Sequence, residues 1–136
     1  MVCLYCGGET HVTNSRRQKR SNQIWRRRQC KACRAVFTTL EAIDTPTTLI
    51  VDSGGVSEPF LPDKLYAALL TALQDRRDSY VAAREVTNTV VAQLLKLPQK
   101  PLFRTDQISL ASAKVLENFD KQAYLRYVAE HPSLHR

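Results

Sequence analysis

Four cysteines carry the most explicit chemistry in the chain. They stand as two C-x2-C pairs, Cys3/Cys6 and Cys30/Cys33, with twenty-three residues between the pairs. A C-x2-C turn presents two sulfurs to one point, and two such turns supply the four soft tetrahedral ligands of a structural zinc ion. Two disulfides are the rival reading. The first residues carry cysteines and glycines, not a basic segment followed by an apolar one, so no secretory leader is expected. The expected home is therefore the reducing cytoplasm, which favours one zinc per chain over disulfides. Four thiolates leave no open position for water, so the metal is read as structural, not catalytic. Gly7 and Gly8 help the chain turn back after the first pair. The second pair lacks glycine, and its turn is expected to form less easily.

Beside the cysteines lies a run of cations. Arg16, Arg17, Lys19, Arg20, Arg26, Arg27 and Arg28 place seven positive charges within thirteen residues, with no acidic residue among them. A turn near Ser21-Asn22 would fold both runs into one hairpin. A zinc ion with four thiolates carries a charge of about −2. Residues 1–45 hold nine Lys/Arg against three Asp/Glu, a net of +6, so the metal centre offsets only part of it. A solvated basic face is the plain alternative, but a stripe this dense points to a polyanion, and the phosphate backbone of nucleic acid is the natural partner. Trp25 is expected to pack beside the metal site in preference to stacking on a base.

The elements that must hold these residues follow from composition and period. The 136 residues carry a formal net charge of +7, and 43% are hydrophobic, enough for a packed core. Beyond residue 45 the charge is nearly balanced, at eleven Lys/Arg and ten Asp/Glu. This asymmetry predicts two units, 1–45 and 46–136. The first has β-leaning pieces around His11–Asn14, Gln23–Trp25 and Val36–Leu40. "DTPTT" (Asp44 to Thr48) reads as a linker. "TLIV" (Thr48 to Val51) and "SEPF" (Ser57 to Phe60), joined by the "DSGGV" turn, read as a short hairpin. Then the period becomes helical. Leu65, Ala68, Leu69, Ala72 and Leu73 share one face after Pro62. Val86, Val90, Leu94 and Leu97 form a stripe over Val81 to Leu97, ended by Pro98. "LPQKPLF" (Leu97 to Phe103) reads as a loop. A third helix starts at Thr105-Asp106 and carries Ile108, Ala111, Val115 and Leu116. Asp120 caps a fourth over Lys121 to His131, closed by Pro132. The fold class is α+β: a small β zinc ribbon, then a short hairpin and about four helices.

Other chemistry is absent from the sequence. There is no G-x-x-x-x-G-K-[ST] phosphate loop. His11, His131 and His135 make no triad or metal spacing, and the last two are read as buried or frayed terminal histidines. No window approaches the ~18 apolar residues of a membrane span. No enzyme is expected.

"CLYCGG", "VTNSR", "IWRRRQCKAC" and "VFTTLE", in that order, closely resemble the bacterial ribonucleotide reductase transcriptional repressors, the NrdR family. "EPFLPDKL" (Glu58 to Leu65) and "AYLRYVA" (Ala123 to Ala129) extend the likeness over nearly the whole chain. The resemblance implies a zinc ribbon followed by an ATP-cone. It also implies a homo-oligomeric, nucleoid-associated repressor that binds double-stranded operator DNA and takes ATP or dATP as effector. Carried over, the DNA-facing residues are the seven cations above, and the nucleotide-facing ones are Val51, Glu58, Lys64, Tyr124 and Arg126. Several positions depart from the family pattern. Asn14 replaces an acid and Trp25 an arginine, while Asp52, Ser57 and Asp75 stand where the family has cations. If Asp52 meets the phosphates, triphosphate binding is expected to be weaker than in a relative with lysine there; the alternative is a shifted strand, with Asp52 pointing into solvent in the "DSGG" turn and away from the ligand. The alternative implied by these departures is a zinc-ribbon nucleic-acid-binding module whose second unit only assembles protomers and has lost nucleotide binding.

Overall fold

A computed structural model describes residues 1–98 and 102–135. The chain divides into two compact units, Met1–Ile43 and Asp44–Arg136. Each is stabilised internally by different means.

In the first unit, only Cys3 and Cys30 are buried. There is no aliphatic core. Three strands, β1 (Thr10–Gln18), β2 (Gln23–Cys30) and β3 (Val36–Glu41), form an antiparallel sheet in the order β1-β2-β3. The β1–β2 hairpin turns through residues 19–22, where Asn22 takes the left-handed conformation at φ 52°. Asn tolerates that region better than most side chains. The hairpin pairs Arg16 with Trp25, Arg17 with Ile24 and Ser15 with Arg26. Between Val12↔Arg28 and Asn14↔Arg27 the register shifts, leaving Thr13 as a bulge. Its hydroxyl donates to the Arg27 carbonyl at 3.2 Å.

In the second unit, "DTPTT" is not an extended linker. Thr45–Thr48 make one helical turn (α1), with Pro46 in its first positions, where a missing N–H costs nothing. The Thr47 and Thr48 hydroxyls donate back to the Asp44 carbonyl. The hairpin is β4 (Ile50–Ser53) with β5 (Val56–Pro59). A third strand, β6 (Leu102–Arg104), lies parallel to β4 on its other side, pairing Val51 with Phe103 and Asp52 with Arg104. From the sequence this stretch reads as part of a loop, because its three residues are too few for a period of two to register. The rest of that expected loop, 99–101, lies outside the described residues.

Four further helices follow: α2 (Pro62–Ala72), α3 (Ser79–Leu94), α4 (Thr105–Phe119) and α5 (Lys121–Glu130). Leu65, Leu69, Leu73, Val86, Val90, Leu94 and Leu116 are buried together with Phe60, Phe103 and Tyr127 in one core. The stripes read from the period are therefore the core faces, with one exception. Helix α3 runs Ser79–Leu94, earlier than the expected Val81–Leu97, and Leu97 falls beyond it and is exposed.

Asp120 joins α4 to α5. Its Oδ1 accepts from the N–H groups of Gln122 and Ala123, both at 3.0 Å, which satisfies two of the orphan donors at the α5 N-terminus. Its Oδ2 takes the Arg76 guanidinium at 3.1 Å. Arg76 also grips Asp78 and lies 5.1 Å over the Phe119 ring. The Ala123 N–H bond, with help from Arg76 and the Gln122 N–H, holds the Asp120 carboxyl below its ordinary range. A depressed folded pKa contributes stability that is present above the unfolded value of about 3.9 and is lost as pH falls through the folded value. Replacing Asp120→Ala should therefore destabilise the helical unit by about 1 kcal/mol at neutral pH, and the difference from the parent should begin to shrink below about pH 4 and go on shrinking as pH falls through the folded value. Urea melts at pH 7 and at a series of values from about pH 4 downward check this.

Candidate metal centre and nucleic-acid interface

The four cysteine sulfurs lie within 4.8 Å of one another. Cys3 Sγ sits 3.7 Å from Cys33 Sγ, and Cys6 Sγ 3.5 Å from Cys30 Sγ. A disulfide would bring a pair to about 2.0 Å. Tetrahedral thiolates at about 2.3 Å from zinc stand roughly 3.8 Å apart, so the spacing is that of ligands around one ion. All four cysteines are free. The donor set, four thiols with no fifth ligand among the described residues, suits a closed structural zinc site.

Each knuckle is built the same way. The Tyr5 N–H points at Cys3 Sγ (3.4 Å) and the Cys33 N–H at Cys30 Sγ (3.5 Å). Just after each second cysteine the backbone is left-handed: Gly7 has φ 72° and Arg34 has φ 63°. The second knuckle thus makes its turn without glycine, at the strain of a non-glycine residue in that region. Gly8 is needed for a different reason. A Cβ there would lie 3.3 Å from the sulfurs of Cys6 and Cys30 and from Ala32 Cβ. The sulfurs also set one another's protonation apart. N–H donation from Cys33 and Ala32 pulls Cys30 down to about 6, so it readily forms a thiolate. At Cys33 the Ala35 N–H favours the thiolate too, but the three neighbouring sulfurs and burial together outweigh it and push that thiol up to about 12. Four sulfurs this close do not all ionise unless a dication lies between them.

The sheet then answers what neutralises the three consecutive arginines. Strand period separates them. Directly paired residues share a face, so Arg26 and Arg28 lie with Arg17, Ile24, Phe37 and Thr39. Arg27 lies on the other face with Arg16, Trp25, Asn14, Thr38 and Leu40. On the first face Arg26 meets Glu41 at 2.6 Å, with a second bond through Nε at 3.1 Å, and Arg28 donates to the Thr39 hydroxyl. On the second face Arg27 donates only to the Thr38 hydroxyl, at 3.4 Å. Among the described residues, Arg26 is the one member of the basic cluster with a carboxylate partner. Lys19 and Arg20 lie at the tip, in the turn. The face bearing Arg16 and Arg27 is exposed and has no acidic residue, and the half-buried Trp25 stands opposite Arg16.

The residues singled out in the second unit fall into two places. Val51, Glu58 and Lys64 line one cavity of about 220 Å³, beneath the β4–β5 hairpin. There Lys64 Nζ pairs with Glu58 at 2.8 Å. Arg126 lines a different cavity, with Asp75, Arg76 and Asp120. It donates to the Ala72 carbonyl at the end of α2 and pairs with Asp75. Tyr124 is half-buried against the core. The family-derived set is thus divided between separate places. The first cavity also holds residues that the sequence does not announce: Phe60, Ser53, Thr105, Ser109, Tyr127 and His131. His131, in sequence a terminal histidine without a role, stacks its ring on Tyr127 with centroids 4.1 Å apart. The i,i+4 spacing of Tyr127 and His131 is the available signal. Asp52 is engaged in the hairpin itself. Its Oδ1 accepts the Gly55 N–H at 2.8 Å and closes the turn.

Because the ribbon has no apolar core, its metal is its fold. Chelation, or Cys30→Ser, should unfold residues 1–43 and leave the helical melt in place. Amide exchange by NMR before and after chelator checks this. Retained protection across β1 to β3 without metal would refute it.

Comparison with known proteins agrees with this construction. A family model described as "Transcriptional repressor NrdR-like, N-terminal domain" matches residues 1–41. Proteins named Transcriptional repressor NrdR match over 130 residues, 95% of this chain. Those of Thermus thermophilus, Rhodospirillum centenum and Sphingopyxis alaskensis are 34%, 35% and 32% identical, over 82%, 84% and 83% of their own lengths. Among the described residues, no helix is long and apolar enough to cross a membrane. With a metal-binding ribbon as its first unit and relatives of this name along almost its full length, the chain belongs to the NrdR family of transcriptional repressors, a non-enzymatic family.

Proposed function

We propose that this protein is a zinc-dependent repressor that binds double-stranded operator DNA through its ribbon, acting on ribonucleotide reductase genes. Its second unit, residues 46–136, would sense an adenine nucleotide, with ATP and dATP as the first candidates, and assemble protomers into a homo-oligomer. It would work in the bacterial cytoplasm, at the nucleoid. The observation that carries the DNA reading is the exposed, acid-free face bearing Arg16 and Arg27, with Lys19 and Arg20 at the tip. Phosphates neutralise such a stripe and release counterions. Arg27 is well placed to reach a base edge or a phosphate, since its side chain is exposed and, among the described residues, meets a hydroxyl and no carboxylate. Arg26 is already satisfied by Glu41.

A second reading is favoured by one observation. Arg126, which the family likeness assigns to phosphate, is tied to Asp75 and the end of α2. A unit that has lost its nucleotide would only assemble protomers. Thermal shift of the zinc-loaded protein with ATP and dATP separates the two readings.

Gel shifts with duplex DNA and structured RNA, run as a salt series, test the first. Duplex DNA should bind more tightly. Arg27→Ala should reduce the salt slope by about one, and Arg26→Ala should change it less. If Arg27 reads a guanine, discrimination between operators should relax by ~1–3 kcal/mol. Equal slopes for the parent and Arg27→Ala would remove Arg27 from the interface.

A further inference from the structure

The ribbon face bearing Arg16 and Arg27 has an apolar centre. The sequence leads one to expect Trp25 beside the metal site, but the structure places it elsewhere. It stands five residues before Cys30 in β2, about 16 Å along the strand, and on the opposite face. Its neighbours across the sheet are Arg16 on one side and Leu40, 58% exposed, on the other. The next rung toward the metal is Asn14, Arg27 and Thr38, and the next toward the tip is Gln18 and Gln23. These three rungs carry arginines, side-chain amides, a hydroxyl and one apolar pair, with no carboxylate among them.

Contacts to phosphate position a protein on DNA and carry no sequence information. The other groups of this face are those that read base edges. Arginine suits guanine, asparagine and glutamine suit adenine, and apolar surface suits the methyl group of thymine. An indole joins an apolar body to a single donor. The Trp25 ring is only half-buried, and its N–H has no acceptor among the described residues. Thymine shows the complementary pair in the major groove, a 5-methyl group beside the O4 acceptor, whereas cytosine shows a donor and no methyl. Three strands span about 10 Å from axis to axis, within the ~12 Å width of the major groove, and β-sheet readers dock in that way. Stacking on an unpaired base is the rival chemistry. A single-strand platform repeats its aromatic residues for successive bases, and Trp25 is the one aromatic residue on these rungs.

We propose that Trp25 and Leu40 form a thymine-reading patch: they close on the 5-methyl group of a thymine in the major groove, with the indole N–H donating to O4. This rests on the reading of the Arg16/Arg27 face as the DNA surface and gives that surface a base preference its cations do not supply.

Duplexes selected from a randomised pool by the zinc-loaded full chain supply the probe. Every thymine in the selected duplex is then replaced by deoxyuridine, which removes the 5-methyl groups and keeps base pairing and O4. The parent should bind the deoxyuridine duplex about three- to tenfold more weakly. Trp25→Ala should bind the two duplexes within about twofold of each other, and Leu40→Ala should fall between it and the parent. Trp25 is the only tryptophan in the chain, so the fluorescence of the parent reports on it directly. Its emission should become shielded from acrylamide quenching when duplex binds. Equal affinity of the parent for both duplexes, or an indole still open to acrylamide in the complex, would overturn the thymine patch and leave the DNA face in place. A parental preference that persists in Trp25→Ala would overturn it too, since the methyl groups would then act through the DNA alone. Tighter binding of the corresponding single strand than of the duplex would overturn edge reading in favour of stacking. Failure to bind any duplex at low salt would overturn the DNA face itself.

Discussion

Four sulfurs drawn to within one ion's reach are the constraint on which the N-terminal unit depends. Every other feature of that unit is a consequence. The sheet buries no aliphatic side chain, so hydrophobic collapse cannot order it. The knuckles are shaped by N–H donation to sulfur and by left-handed residues after Cys6 and Cys33. Gly8 is small beside sulfurs that a side chain there would crowd, with its Cβ at 3.3 Å from two of them. With the metal site acting as core, the rest of the surface is free to carry charge. That freedom explains how a unit this small can display so many arginines. Their mutual repulsion is set against metal coordination and not against marginal apolar packing.

The helical unit is organised in the opposite way. Its core runs from Leu49 to Tyr127 and involves every helix from α2 to α5. Its charges are engaged in local clamps: Arg76 with Asp78 and Asp120, Arg126 with Asp75, Arg104 with Asp106, Lys64 with Glu58. Most are exposed and contribute little stability singly. Their effect is on chemistry. Each occupies a cation that a phosphate could otherwise claim.

What was legible in the sequence follows from which signals are local. The zinc ligands were legible because C-x2-C fixes two sulfurs by spacing alone. The helices were legible because apolar residues recur at the helical period, and Asp120 because a cap acts within three residues. The strand β6 was not, since three residues after a proline show no pattern until β4 lies beside them. Arg34 was not, since nothing in its identity announces a left-handed backbone. The arginine faces needed the pairing register, which sequence order does not supply. The set that the resemblance assigns to a nucleotide is divided because Arg126 turns away from the cavity that holds Lys64: Tyr127, the next residue, lines that cavity, and the two lie about 100° apart around α5.

The bulge at Thr13 acts as a phase shifter for the hairpin. Upstream of it, Val12 shares a face with Arg28; downstream, Asn14 shares the opposite face with Arg27, although the two residues have the same parity in the chain. The turn-side pairs, from Asn14↔Arg27 to Gln18↔Gln23, place Arg16 beside Trp25 and on the face of Arg27. Deleting Thr13 would remove only the unpaired residue: Val12 would still stand opposite Arg28 and Asn14 opposite Arg27, so both arginines would keep their faces. A one-residue insertion or deletion between Asn14 and Gln18 would instead break the alternation that separates Arg16 from Arg17. In this ribbon the position of an alignment gap, and not its length, decides whether the charged surface is rearranged.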